Sequence, residues 1–195
     1  MMMREGYIGF APQSSRRKRN PLLGVYCMVV SMSLLFLGLS TVLLFFQLSG
    51  KGWPPPGTPR LSLVLPTITT LTLLASSGTM RWAGIAVRRG SRNGLRWGLV
   101  LSLALGGLFL ANQVYLFFET GLPIGSGLYI AILYILIALH AFHLIGGMIF
   151  LGVTLARANA GDFTPTRHVG LDACEIFWQF AVWIWVVLYG LLFLI

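Results

Sequence analysis

Five apolar runs, each long enough to cross a bilayer as a helix, govern what this sequence can fold into. A hydrocarbon core takes roughly 20 helical residues. The runs Leu22 to Leu48, Leu61 to Val87, Leu95 to Phe118, Gly127 to Ala156 and Gly170 to Ile195 reach or exceed that length. A helix satisfies its own backbone hydrogen bonds, which lipid cannot do for it. The expected fold is therefore all-α: a polytopic membrane helical bundle with five transmembrane helices. A basic tail over residues 1–21 precedes a single membrane domain over residues 22–195. A cleaved signal peptide describes the first run poorly, because the run is too long and no small-residue cleavage pattern follows it. The fourth run exceeds the mean core thickness and is expected to tilt or protrude.

Hydrophobic residues make up 56% of the chain and charged residues 10%, and the mean hydropathy is +0.81. A water-soluble core does not absorb that much apolar surface. The formal charge of +9 invites a nucleic-acid reading, but the basic residues are not gathered on one solvated face. They flank the apolar runs instead. The tail holds Arg4, Arg16, Arg17, Lys18 and Arg19. The connection after the second run holds Arg88, Arg89, Arg92 and Arg96, with Arg81 about two turns inside the helix, and the connection after the fourth holds Arg157 and Arg167. Only Lys51 and Arg60 fall on the other side. Positive residues stay preferentially in the cytoplasm, so the N-terminus is expected there and the C-terminus outside. Topology thus accounts for the charge, and no nucleic-acid partner is expected.

Polar residues inside the runs are few. His140 and His143, three apart, share a face of the fourth helix near mid-depth. They either bond to a neighbouring helix or ligate a metal or haem, for which further ligands would be needed. Asn112 and Gln113 read as interhelical glue. Asp172, Glu175 and Gln179 form one polar stripe on the fifth helix, and Arg157 is expected to pair with Asp172 or Glu175. A proton relay is the sharper reading of that stripe, which gives way to apolar Val182. Arg81 is expected to snorkel toward the surface, as a topology anchor or onto a lipid headgroup. Cys27 and Cys174 read as small apolar fillers. The chain carries no phosphate loop, nucleophile elbow or metalloprotease motif.

Several strings, in order, resemble signature segments of subunit III of haem-copper cytochrome oxidases. The loop after the first run reads GWPPPG, with Trp53, Pro54 and Pro55, and the second run carries LLASSGTMRWA. The third run leads through Gln113 to FFETG, which holds Glu119, and on to GLPIGSGLY with Ile124, Gly127 and Tyr129. The fourth contains HAFHLIGG, with His140 and His143, and ends at Arg157. After Phe163 and Thr164 comes HVGLDA, with His168 and Asp172, and then Trp178, Phe180, Trp185 and Tyr189.

The chain is similar to a short form of that family whose five helices match the third to seventh of longer members. The resemblance implies a noncatalytic subunit of a respiratory terminal oxidase of the cytochrome c oxidase type in the bacterial plasma membrane. Such a subunit packs beside subunit I, with subunit II and other respiratory subunits also present. It holds no catalytic residue and no redox cofactor of its own; haem and copper belong to the partner subunits, and phospholipid is an expected ligand. An accessory subunit of nitric oxide reductase and a quinol oxidase subunit III are the alternatives.

The sequence also departs from the family pattern. Ser31 and Met32 stand where the family has a Ser-Glu pair, whose glutamate is its carbodiimide-reactive carboxylate. Gln179 replaces a histidine, Val182 an aspartate and Asp172 a glutamate. Carbodiimide is therefore expected not to label the first helix, and a proton-antenna role is not carried over.

Overall fold

The computed structural model describes residues 22–49, 63–120 and 128–194. They form five long helices: α1 Leu23–Ser49, α2 Val64–Arg88, α3 Arg92–Thr120, α4 Leu128–Ala160 and α5 Val169–Tyr189. The last of these continues into a wider π turn over Gly190–Leu194. The described residues contain no strand, only one bridge between Thr164 and Arg167. The basic tail, Lys51, Arg60 and the candidate residues Trp53, Pro54, Pro55, Ile124 and Gly127 lie outside the described residues.

Four stretches are long and apolar enough to cross a membrane on their own account: Leu23–Ser49, Arg92–Phe118, Ala131–Ala160 and Val169–Phe193. α2 is the exception because of its hydroxyls. Thr69, Thr70, Thr72, Ser76 and Thr79 each donate to a carbonyl three or four residues earlier. That back-bonding removes the need for water and lets a polar-looking sequence cross within the bundle.

Two turns fix the connections at the end where the arginines gather. After α2, Gly90 takes φ +74°, with Gly90 N–H on Val87 C=O and Ser91 N–H on Ala86 C=O. After α4, Gly161 takes φ +82°, with Gly161 N–H on Ala158 C=O and Asp162 N–H on Arg157 C=O. Both are Schellman caps, whose left-handed residue is a glycine because a Cβ is strained there. Ser91 then caps α3 by accepting from Gly94 N–H.

Contacts pair rising with falling residue numbers, so α2, α3, α4 and α5 are antiparallel neighbours in a ring. α3 meets α2 through small residues: a Cβ added to Gly98 would lie 2.8 Å from Ala83 Cβ, and Ser102 Oγ shares a hydrogen bond with Thr79 Oγ1 at 2.7 Å. In lipid, such close backbone approach supplies the packing attraction that water supplies elsewhere. α1 rests outside the ring against α4 and α5. It is anchored by its buried residues Phe36, Leu43 and Gln47, with Gln47 Nε2 donating to Leu191 C=O. Cys27 is exposed on α1 rather than filling a core, while Cys174 is buried.

Candidate functional site

The side chains singled out in the spans gather in three places: a seam between α2 and α5, an aromatic box around His140, and a charged cluster at the basic end.

The seam is a ladder of hydrogen bonds. Trp178 Nε1–H donates to Ser76 Oγ at 3.2 Å and Trp185 Nε1–H to Thr70 Oγ1 at 3.0 Å. Gln179 and Ser77 bond reciprocally, the Ser77 hydroxyl donating to Gln179 Oε1 at 2.6 Å and Gln179 Nε2 to the Ser77 carbonyl at 3.1 Å. Tyr189 and Thr67 share a bond of 2.6 Å. Each indole thus keeps its apolar body in the core and its one donor satisfied. Trp178 is central, lying over Gly106 of α3, where a Cβ would stand 2.5 Å from its ring, and packing tightly on Gly147 of α4, where a Cβ would stand 3.3 Å from it. Trp178, Gln179 and Trp185 stand out in the sequence, but their α2 partners do not, because those hydroxyls look like ordinary helix fillers until α5 is placed beside them.

His140 is 1% exposed. Its ring lies 5.0 Å from that of Trp185, 6.0 Å from Phe109 and 6.5 Å from Phe36. Neither imidazole nitrogen has a hydrogen-bond partner among the described residues. His143, one turn on, sets its Nδ1 2.6 Å from Leu139 C=O and its ring 5.3 Å from Phe36. The pair thus faces α1, α3 and α5 through aromatic contact and not through a shared hydrogen bond. No group of three metal-ligating side chains occurs among the described residues. Gln113 is buried, and its Oε1 has no partner among the described residues. Asn112 is half-buried. Glu119 sits in the last turns of α3.

At the basic end, the expected pairing of Arg157 with Asp172 or Glu175 is replaced. Arg157 Nε binds Asp162 Oδ2 at 3.1 Å, and its guanidinium lies 5.2 Å from the centre of the Phe163 ring. The cause is local: the Schellman turn at Gly161 folds Asp162 back onto the end of α4. Asp172 instead takes Arg88 of α2 at 3.1 Å and faces His168 Nε2 at 3.6 Å, while His168 Nδ1 lies 3.2 Å from Thr164 C=O. Glu175 lies against Gly84 of α2, where a Cβ would stand 2.5 Å from its Oε2. Arg81 is exposed on α2, and Met32 is partly buried against the core.

Comparison with known proteins gives these features a context. The profile of the family described as cytochrome c oxidase subunit III matches residues 5–195. A cytochrome c oxidase subunit 3 from Synechocystis sp. is 33% identical over 175 residues, covering 89% of this chain and 75% of that protein. The one from Thermostichus vulcanus is 31% identical, covering 89% of this chain and 87% of its own length. The rat protein of the same name is 35% identical over 141 residues, 72% of this chain and 54% of the longer relative. With a match along almost the whole chain and five helices in one bundle, this chain belongs to the cytochrome c oxidase subunit III family and is a component of a multisubunit haem-copper oxidase.

Proposed function

We propose that this chain is the noncatalytic brace of its oxidase: it packs beside subunit I, steadies it during turnover and holds phospholipid. Haem, copper and the reduction of oxygen reside on subunits I and II. The observation that carries this reading is how the polar side chains of the interior are used. Trp178, Trp185, Gln179 and Tyr189 are all engaged in bonding α5 to α2. A helix pair cross-bonded in that way is suited to holding a fixed outer surface against a larger partner. Arg81, exposed about two turns inside the basic end of α2, suits a lipid phosphate.

The basic end is the cytoplasmic one in this reading, with the N-terminus cytoplasmic and the C-terminus periplasmic, in a bacterial plasma membrane. The relatives carry the oxidase name, which favours cytochrome c as the electron donor over quinol and disfavours a nitric oxide reductase accessory.

The test is an oxidase purified with and without this chain. The depleted enzyme is expected to keep its haem spectrum and its initial rate of oxygen consumption, then to lose activity sooner during sustained turnover. An intact haem spectrum with no initial rate would assign the chain a catalytic part and overturn the proposal. Unchanged lifetime would remove the bracing role.

A further inference from the structure

Two charged groups within the helices are left over once the ion pairs are assigned. Arg81 lies seven residues before the end of α2 at Arg88, and Glu175 six residues after the start of α5 at Val169. At 1.5 Å per residue both sit about 10 Å in from the basic end. They are at matched depth on adjacent antiparallel helices. Neither has a hydrogen bond or an ion pair within 4.0 Å among the described residues. The charges around them are committed: Arg88 to Asp172, and Asp172 also to His168. Arg81 and Arg88 are the cations whose charge reaches Glu175, and Asp172 is the opposing anion.

The carboxylate is also held in place. With no side chain at Gly84, Glu175 lies across α2, where a Cβ would be 2.5 Å from Oε2 and 3.4 Å from Cδ. It therefore turns toward the α2 face rather than reaching along α5 to the aqueous end. Arg81 and its neighbour Trp82 are both exposed on the bundle surface.

We propose that Arg81 and Glu175 form a split site for a zwitterionic phospholipid headgroup, the guanidinium binding the phosphate and the carboxylate accepting hydrogen bonds from a primary ammonium. The proposal rests on the reading of Arg81 as a headgroup residue and adds the headgroup's chemistry. A guanidinium matches a phosphate diester through paired N–H donors. A carboxylate is acceptor-only and needs a donor of positive charge when water is scarce. A phosphoethanolamine headgroup brings both ions and adds no net charge to a cluster that balances Arg81 and Arg88 against Asp172 and Glu175. An anionic phosphoglycerol headgroup would satisfy Arg81 and leave Glu175 facing a second negative charge. Choline has the charge but no N–H to donate.

The test uses the full chain in mild detergent, mixed with phosphatidylethanolamine, phosphatidylcholine and phosphatidylglycerol at equal mole fractions, with retained lipid read by native mass spectrometry. The wild-type chain is expected to retain phosphatidylethanolamine over phosphatidylglycerol by about tenfold, the ratio that one charge-assisted hydrogen bond supports. E175Q is expected to abolish that preference while still binding phosphatidylglycerol, R81Q to lose all three lipids, and G84A, which displaces the carboxylate, to behave like E175Q. Helicity by circular dichroism confirms that each variant is folded. Equal retention of the three lipids by wild type, or an E175Q variant with the preference intact, would overturn the proposal. Displacement by millimolar phosphoethanolamine would assign the site to a soluble zwitterion and overturn the lipid. Membership of the oxidase is not read by this assay and is untouched by its failure.

Discussion

The contact between α2 and α3 makes the sharpest energetic prediction, through Gly98→Ala. The added Cβ would lie 2.8 Å from Ala83 Cβ, 2.9 Å from the Thr79 carbonyl oxygen and 3.0 Å from Ala83 Cα. Relaxed contacts between such atoms need about 3.5 to 4.0 Å. Two of the three obstacles are backbone atoms, so no rotamer change relieves them; the helices must separate. Separation would stretch the 2.7 Å bond between Ser102 and Thr79 just beyond the contact. Overpacking costs about 1–3 kcal/mol, and a weakened interhelical bond adds about 0.6 kcal/mol. Against this, alanine gains up to about 1 kcal/mol over glycine as a helix former. The net expectation is a loss of about 1–3 kcal/mol. Gly146→Ala and Gly152→Ala are the internal controls, since beyond the helix's own backbone no atom of the described residues lies within 4 Å of a Cβ at either position. These should be neutral or slightly stabilising. Reversible unfolding of the full chain in bicelles, by detergent titration or steric trapping, measures all three. Gly98→Ala within about 0.5 kcal/mol of the controls would refute the argument that close backbone approach holds α2 to α3.

Other perturbations separate further parts of the account. A double-mutant cycle with Thr70→Val and Trp185→Phe should give a coupling of about 0.6 kcal/mol and at most about 1.7 kcal/mol; zero coupling would show that this rung of the seam is geometry without energy. His140→Phe keeps a ring in the aromatic box while deleting two buried nitrogens that have no partner among the described residues, so stability should hold or rise by about 1 kcal/mol; a loss of more than about 2 kcal/mol would mean that the imidazole is hydrogen-bonded in the membrane. Asp162→Asn should cost less than about 1 kcal/mol, because the Arg157 pair is solvent-facing. α1 carries no carboxylate between Leu23 and Ser49, with Met32 on that helix, so a hydrophobic carbodiimide should leave it unlabelled; peptide mapping that finds the adduct there would contradict the reading of Met32.

The five helices were legible because length and hydropathy act over whole segments. α2 shows the limit of that signal: its threonines and serines lower its hydropathy, and its place in the bundle follows from its close packing on α3 and its bonds to Trp185, Trp178, Gln179 and Tyr189 of α5. Which helices are neighbours was not legible. The polar stripe of α5 is visible at helical spacing, but nothing local says that it faces α2, so the sequence points Arg157 at Asp172 or Glu175, whereas Asp172 pairs with Arg88. The Arg157 to Asp162 pair was missed for a different reason: it depends on a left-handed glycine at 161 folding the chain back within a single turn. The site residues on the loop around Trp53 lie outside the described residues, and their roles rest on the family resemblance.

The most direct test of the central claim is purification through an affinity tag on this chain in a mild detergent, followed by an optical spectrum and an oxygen-consumption assay. A large haem-containing subunit is expected to co-purify in fixed ratio, and the preparation to reduce oxygen with reduced cytochrome c as donor. Recovery of a colourless oligomer of this chain alone, folded and without oxidase activity, would contradict the claim.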